Sequence, residues 1–253
     1  MSMQLTFKDA KFFKQCIDAI VHIVDEGSFE VSSEGMRLRS LDPSQIALVD
    51  FHLPKAHAFS EFEVDGARTL SLNLVDLSKV LARSRGKEKL TLRLNDEERN
   101  KVQLDFVSDA KRSFKLPLLD LRDTAMPRQP KVPFAASVTL RAGQFKDMLK
   151  DAALVSSHLQ LETTEHAFIV EAHGDAGDLK IEMMSKQTKE LEVKTDGEQK
   201  AMYPSEYLDK MCRAAVDLEP LVLEFKSNHP VKMSYQIGDA QFTFFLAPRV
   251  ESA

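Results

Sequence analysis

The sequence predicts an α+β protein of two similar domains, each with two helices packed on antiparallel β-sheets. Three observations carry this. Most of the chain alternates apolar and polar residues at period 2, with turn residues between the runs. Four segments break that rhythm with a helical stripe. The order helix, strands, helix, strands occurs twice at near-constant spacing.

The strand-like runs of the first half are 29–33, 36–40, 46–53, 69–72, 89–94, 101–107 and 113–116. Those of the second half are 134–140, 166–172, 179–184, 190–194, 221–226, 231–237 and 241–246. The helical windows lie between them. In 8–23, Phe13, Cys16, Ile17 and Ile20 share one face and Lys11, Lys14, Asp18 and His22 the other. In 74–87, Leu74, Leu77 and Leu81 point inward, with Asp76, Lys79 and Arg83 outward. In 141–154, the inward set is Phe145, Met148, Leu149 and Ala152, with Lys146 and Lys150 outward. Window 204–216 opens on Pro204–Ser205, a helix-start signal. It turns Tyr207, Leu208, Met211 and Cys212 inward and Glu206, Lys210 and Arg213 outward.

The repeat is visible in the letters. TFKDAKFFKQCIDA, from Thr6, aligns with TLRAGQFKDMLKDA, from Thr139. Leu77-Ser-Lys79 and the run from Leu90 to Leu94 align with Leu208-Asp-Lys210 and the run from Leu221 to Phe225. The domains are therefore expected at 1–116 and 134–253. The connector, 117–133, holds four of the ten prolines. Proline blocks both helix continuation and ladder bonding, so the segment is read as extended. Leu118, Leu119, Leu121 and Met126 are too apolar for an inert linker, so part of it is expected to lie against a surface.

With 253 residues, 43% hydrophobic and 29% charged, the chain has material for packed cores and is neither disordered, collagenous nor coiled coil. Two cysteines leave no disulfide framework and suggest a reducing compartment. The start of the chain lacks the long apolar stretch of a secretory signal. No window approaches 18 uninterrupted apolar residues. A cytoplasmic protein is expected.

The search for reaction chemistry finds little. Phosphate-binding loops, dinucleotide fingerprints, nucleophile elbows, H-E-x-x-H and C-x-x-C are all missing from the string. His158, Glu162 and His166 are spaced i, i+4, i+8, which would gather metal ligands on a helix. The surrounding HLQLETTEHAFIVEA alternates instead like a strand pair with a turn near 163–165. A metal-dependent hydrolase built on those three residues is the alternative of another class. Cys16 and Cys212 sit on apolar helix faces and read as structural. No catalytic residue, metal or cofactor is expected.

Charge is more informative. The net charge of −5 argues against a protein that coats DNA with its whole surface. The four helical windows hold twelve basic and seven acidic residues, a net of +5, against −10 for the remainder. These faces are either solvated amphipathic surfaces or one basic surface for a polyanion, touched through its phosphates without sequence readout.

SLDPSQIALVDFHLP (40–54), the LLDL…MP connector (118–127) and the terminal FFLAPRVE (244–251) resemble the proliferating cell nuclear antigen family of sliding clamps, in its archaeal branch. The resemblance covers essentially the whole chain. It implies the DNA clamp fold and a trimeric ring closed head to tail, with the helices lining the hole. The strand near 113–116 would pair with the strand near 179–184 of the next subunit, giving an interface of Lys111, Arg112, Ser113, Phe114 and Lys115 against Leu179, Lys180, Ile181 and Glu182.

The resemblance further implies a non-enzymatic processivity factor that encircles double-stranded DNA regardless of sequence, in replication and repair. Lys14, Lys79, Lys150 and Arg213 match basic channel positions of the family; Lys11, Arg83, Lys146 and Lys210 join them by helical phase. Gln15, Val21, Ala82 and Asp147 stand where some members carry Lys or Arg. Polymerase, clamp loader, flap endonuclease and ligase would dock through short peptides with a Gln and apolar or aromatic anchors. The matching pocket positions are Leu41, Gln45, Ile46, Leu48, Met126, Pro127, Pro230, Phe245, Ala247, Pro248 and Val250. Thr124 stands where some relatives have Leu. A subunit of a heterotrimeric clamp is the same-class alternative. Phe245→Ala is expected to remove peptide binding and leave the ring intact.

Overall fold

The computed structural model describes residues 3–55, 57–95, 100–121, 126–175, 177–185 and 191–249. The chain divides into two compact units. One comprises Met1–Pro43, Val49–Pro127 and Ile237–Phe242; the other comprises Ser44–Leu48, Arg128–Gln236 and Thr243–Ala253. The boundary at Pro127 falls inside the proline-rich connector.

The first half runs β1 (Met3–Phe7), α1 (Ala10–Val21), β2 (Glu26–Ser32), β3 (Gly35–Leu41), β4 (Ala47–Pro54), β5 (Phe59–Val64), β6 (Arg68–Asn73), α2 (Leu74–Leu81), β7 (Lys89–Leu94), β8 (Lys101–Val107) and β9 (Lys111–Pro117). The second repeats that order: β10 (Ala136–Arg141), α3 (Ala142–Ala153), β11 (His158–Thr163), β12 (Ala167–Gly174), β13 (Gly177–Met184), β14 (Glu192–Thr195), β15 (Gln199–Pro204), α4 (Ser205–Cys212), β16 (Pro220–Phe225), β17 (Val231–Ile237) and β18 (Ala240–Leu246).

Strand pairing repeats as well. The first half of the chain has the sheet β5-β1-β7-β8-β9 and the run β4-β3-β2-β6; the second half has β14-β10-β16-β17-β18 and β13-β12-β11-β15. The ladders of β1, β10 and β11 are antiparallel on both sides. Even a loop bond recurs: Ala10 N–H donates to the Glu88 carbonyl at 2.8 Å, and Ala142 N–H to the Glu219 carbonyl at 3.0 Å.

Capping explains the helix starts. Asp9 accepts the Lys11 N–H and Asn73 the Asp76 N–H, each at 2.9 Å, satisfying amides that no helical carbonyl reaches. Gln144 reaches back to the Arg141 N–H at 3.2 Å. The apolar stripes of α1, α2 and α3 are buried as their spacing predicts. In α4, Tyr207 is only half-buried, and Ser205 takes the inward place, donating to the Ser157 carbonyl at 2.9 Å.

Two helices end earlier than their periodicity suggests. After Leu81 the chain tightens, with Arg83 N–H on Val80 and Ser84 N–H on Leu81, and Gly86 turns to φ 41°. Arg85 N–H is drawn instead to the Glu88 carboxylate at 2.6 Å. Arg83 therefore lies beyond α2, and its expected placement by helical phase is corrected. Helix α4 stops at Cys212 rather than reaching Val216.

In the first unit Phe7 stacks on Phe13 at 4.3 Å and touches Phe59 at 4.6 Å. In the second, Tyr235 stacks on Phe244 at 5.7 Å and donates its hydroxyl to the Met211 carbonyl at 2.9 Å. Cys16 and Cys212 are buried in these cores. Burial, with the Asp209 carboxylate, pushes the Cys212 thiol up to about 12, so it is packing rather than a nucleophile. No described helix is long and apolar enough to cross a membrane.

Two nearly buried acids hold β9. Both carboxylate oxygens of Glu88 accept from Arg112 Nη2, at 2.7 and 2.8 Å. Asp105 accepts from Ser113 at 2.6 Å and from Gln103 at 2.8 Å, with Lys111 at 3.2 Å. Burial alone would push both carboxyls up. The Arg85 amide and Arg112 at Glu88, and Ser113, Gln103 and Lys111 at Asp105, outweigh it and hold both below the usual range. Their stabilising contribution is complete above the ordinary carboxylate range, near about pH 4, and is lost as pH falls through the lower folded values. Thermal melts between pH 5 and pH 3 should show a steeper loss for the natural chain than for Glu88→Gln/Asp105→Asn. Parallel curves would assign the acid sensitivity elsewhere.

Candidate functional site

Seven of the eight expected channel cations lie on the four helices or their caps; Arg83 follows α2. Five are paired along their own helix. Lys14 bonds Asp18 and Arg213 bonds Asp209. Lys79 reaches Asp76 at 3.0 Å, Lys150 reaches Asp147 at 2.8 Å, and Lys210 reaches Glu206 at 2.6 Å while lying over the Tyr207 ring. Lys79 and Lys150 remain about 70% exposed, at 70% and 71%. Such exposed pairs are weak and exchange readily with another anion. The hydrogen bond that Lys150 donates to Asp147 raises the Lys150 pKa, so the ammonium stays charged. Lys11 and Arg83 are exposed and have no ion pair among the described residues.

Lys146 differs. It is three-quarters or more buried and donates to the Ala215 carbonyl at 2.6 Å and to Asp217 at 2.8 Å. It ties α3 to the loop after α4. Helical phase put it on the outward face; the structure spends its charge on that tether.

The expected peptide-pocket residues fall in both units. In the first, Leu41 is 41% exposed at the end of β3, and Met126 and Pro127 are half-buried. In the second, Ile46 is 36% exposed, while Leu48 and Phe245 are buried. Gln45, beside Ile46, holds φ 59°, a left-handed backbone that a non-glycine residue adopts rarely. Ala247 N–H donates to the Ile46 carbonyl at 2.9 Å, and Arg249 N–H to Met202 at 2.8 Å, fixing the segment that carries Ala247 and Pro248. Arg249 also donates to His158 Nδ1 at 3.2 Å. Burial and the Arg249 charge lower the His158 pKa. Pro230 is half-buried. Val250 and Thr124 lie outside the described residues.

The expected interface strands are both sheet edges. β9 ends the first unit's five-stranded sheet and β13 ends the second unit's four-stranded sheet. On β9, Lys111, Ser113 and Lys115 alternate with half-buried Arg112, Phe114 and Leu116; on β13, Lys180 and Glu182 alternate with half-buried Leu179, Ile181 and Met183. Lys180 bonds Glu171 at 2.8 Å.

His158, Glu162 and His166 do not converge. His158 and Glu162 lie on β11, where four residues span roughly 13 Å. Glu162 faces Lys200 at 3.6 Å and His166 lies 3.7 Å from Glu165. No group of three metal-binding side chains occurs among the described residues.

Residues 2–125 match the family model of the proliferating cell nuclear antigen N-terminal domain, and residues 128–250 that of its C-terminal domain. The chain belongs to the proliferating cell nuclear antigen family.

Similarity to members of this proliferating cell nuclear antigen family runs the full length. The DNA polymerase sliding clamp of Pyrococcus abyssi is 34% identical over 252 residues, covering 99% of this chain and 100% of that one. DNA polymerase sliding clamp 1 of Thermococcus kodakarensis is 33% identical with the same coverage. The crystal structure of PCNA from Thermococcus kodakaraensis superposes with a TM-score of 0.91 at 27% identity, over 98% of this chain and 100% of that one. A. fulgidus PCNA, solved with the C-terminal region of FEN-1 bound, gives 0.87 at 25% identity, over 99% and 100%.

One residue of consequence escapes sequence reasoning. Arg39 and its partner Asp50 lie inside the SLDPSQIALVDFHLP region or beside it, but strand periodicity treats them as ordinary polar positions.

Proposed function

We propose that the protein is a DNA sliding clamp: it encircles duplex DNA without reading sequence and tethers polymerase and other replication and repair enzymes. It catalyses no reaction. Domains 1–116 and 134–253, joined by the connector 117–133, form the subunit. Three copies close into a ring. The clamp works in the cytoplasm, on the nucleoid.

The observation that carries the ring is the pair of open edges. A sheet edge leaves a row of unpaired amides and carbonyls that native proteins cover or pair. β9 brings Lys111, Arg112 and Lys115; β13 brings Asp178 and Glu182 beside Lys180. Opposite excess charge on two different edges of one chain favours a head-to-tail joint, and such a joint closes when its rotation closes. Tethering then replaces bimolecular rebinding by a high effective concentration. Partner peptides are taken by Leu41, Met126 and Pro127 on the first unit and by Gln45, Ile46, Leu48, Pro230, Phe245, Ala247, Pro248 and Val250 on the second.

DNA contact falls to Lys11, Lys14, Lys79, Lys150, Lys210 and Arg213, with Arg83 from the loop. Binding of a short duplex, titrated against salt, tests this. Each phosphate contact contributes about 0.9 to the log–log slope. Removing Lys11, Lys79, Lys150 and Arg213 together should flatten the slope by the contacts they make. An unchanged slope would place the DNA elsewhere.

A further inference from the structure

Proline 127 has no N–H, so its carbonyl is the one backbone group by which the chain can be gripped there. The connector's earlier part is held by its own amides: Leu118 N–H donates to Asn100 at 2.8 Å and Leu119 N–H to Ser71 at 2.9 Å. At Pro127 the grip comes from a side chain. Arg39 Nη1 donates to the Pro127 carbonyl at 3.2 Å. The same guanidinium is fixed from behind, because Nε and Nη2 both donate to Asp50 Oδ2, at 2.9 and 2.6 Å. Asp50 is 6% exposed and Arg39 16%, so water competes poorly with either bond.

Arg39 and Leu41 stand two residues apart on β3, hence on one face of the strand. That face also presents Arg37, whose Nε stays 3.9 Å from Asp50 and leaves the close bonds to Arg39. The bond to Pro127 therefore anchors Met126 and Pro127 to the strand that carries the exposed Leu41. A planar fork suits this task, since three of its donors serve two acceptors at fixed angles; an ammonium is a point charge that serves one at a time.

We propose that Arg39, oriented by Asp50, is a positioning residue that latches the connector and so holds the Met126–Pro127 wall ready for a partner peptide. The inference rests on the docking role proposed for that wall. Pre-organisation of this kind raises affinity by removing the ordering that binding would otherwise require.

The test uses the full-length protein and a synthetic peptide copying the C-terminal region of FEN-1. Arg39→Lys keeps the charge and loses the fork; it should raise the Kd about tenfold, the size of one charged hydrogen bond's contribution. Asp50→Asn should act in the same direction. Subunit mass in solution and melting temperature should hold for Arg39→Lys. The discriminating readout is a double-mutant cycle with Met126→Ala. Met126→Ala alone should weaken the peptide, and in the Arg39→Lys background it should weaken it far less, because the wall is already displaced. Unchanged affinity in Arg39→Lys, or losses that simply add, would overturn the latch while the docking site stands. If Met126→Ala and Leu41→Ser both leave affinity unchanged, the docking role itself fails and the latch with it.

Discussion

Leu41→Asp and Ile46→Asp will each weaken capture of a partner peptide by about thirtyfold or more, the range of an interface hot spot of about 2 kcal/mol. Both side chains are large, apolar and already exposed, at 41% and 36%. A charge there adds little to the folding problem but must be desolvated when an apolar anchor arrives. Melting temperature and subunit mass should stay unchanged, and calorimetric titration with the FEN-1 peptide reads the loss directly. Binding that survives both changes would remove these residues from the docking surface. Phe245 is a poorer probe than its sequence position suggests. It is 4% exposed, and emptying such a site costs about 3–5 kcal/mol of stability. Phe245→Ala is thus expected to soften the second unit as well as to weaken the peptide site.

Ile181→Asp or Leu116→Asp will convert the proposed ring into single subunits of 28.5 kDa. Each lies on an open edge, half-buried in the isolated chain. In a head-to-tail joint the other half of that surface would be covered, and an aspartate would carry an unpaired charge into it. A homotrimer multiplies the effect, because one substitution enters all three joints. Sedimentation at micromolar concentration should show the mass of one chain for either variant and three times that mass for the natural protein. Circular dichroism should stay native, since neither residue anchors a core. A natural chain that sediments as a monomer would exclude the homotrimer; a variant that stays trimeric would move the joint away from these strands.

The helices were legible because four short windows carry complete apolar stripes, and burial follows those stripes nearly residue by residue. Their C-terminal ends were not. Periodicity continues past Leu81 into Arg83, but Ser84, Gly86 and the pull of Glu88 on the Arg85 amide end the helix first. Three strands escaped as well. β1 is five residues long and reads as a lead-in to α1; β5 and β15 lie in polar stretches where alternation is faint. Their partners, not their letters, make them strands. The site shows the same division. Which residues are basic or apolar is plain in the sequence. That Lys146 is committed to Ala215 and Asp217, and that Arg39 reaches 88 residues along the chain to Pro127, are long-range facts that no local pattern encodes.

The five lysine and arginine pairs along the helices have one more consequence. Each cation carries its own tethered counterion one turn away, so a phosphate of the proposed duplex would displace a carboxylate instead of meeting a bare charge. The gain at any one position of the DNA is then shallow, and the loss on leaving it equally shallow. A duplex threading past Lys14, Lys79, Lys150, Lys210 and Arg213 would meet a nearly flat energy profile, with friction set by brief partner exchange. A lining of unpaired cations would hold DNA harder and move along it more slowly.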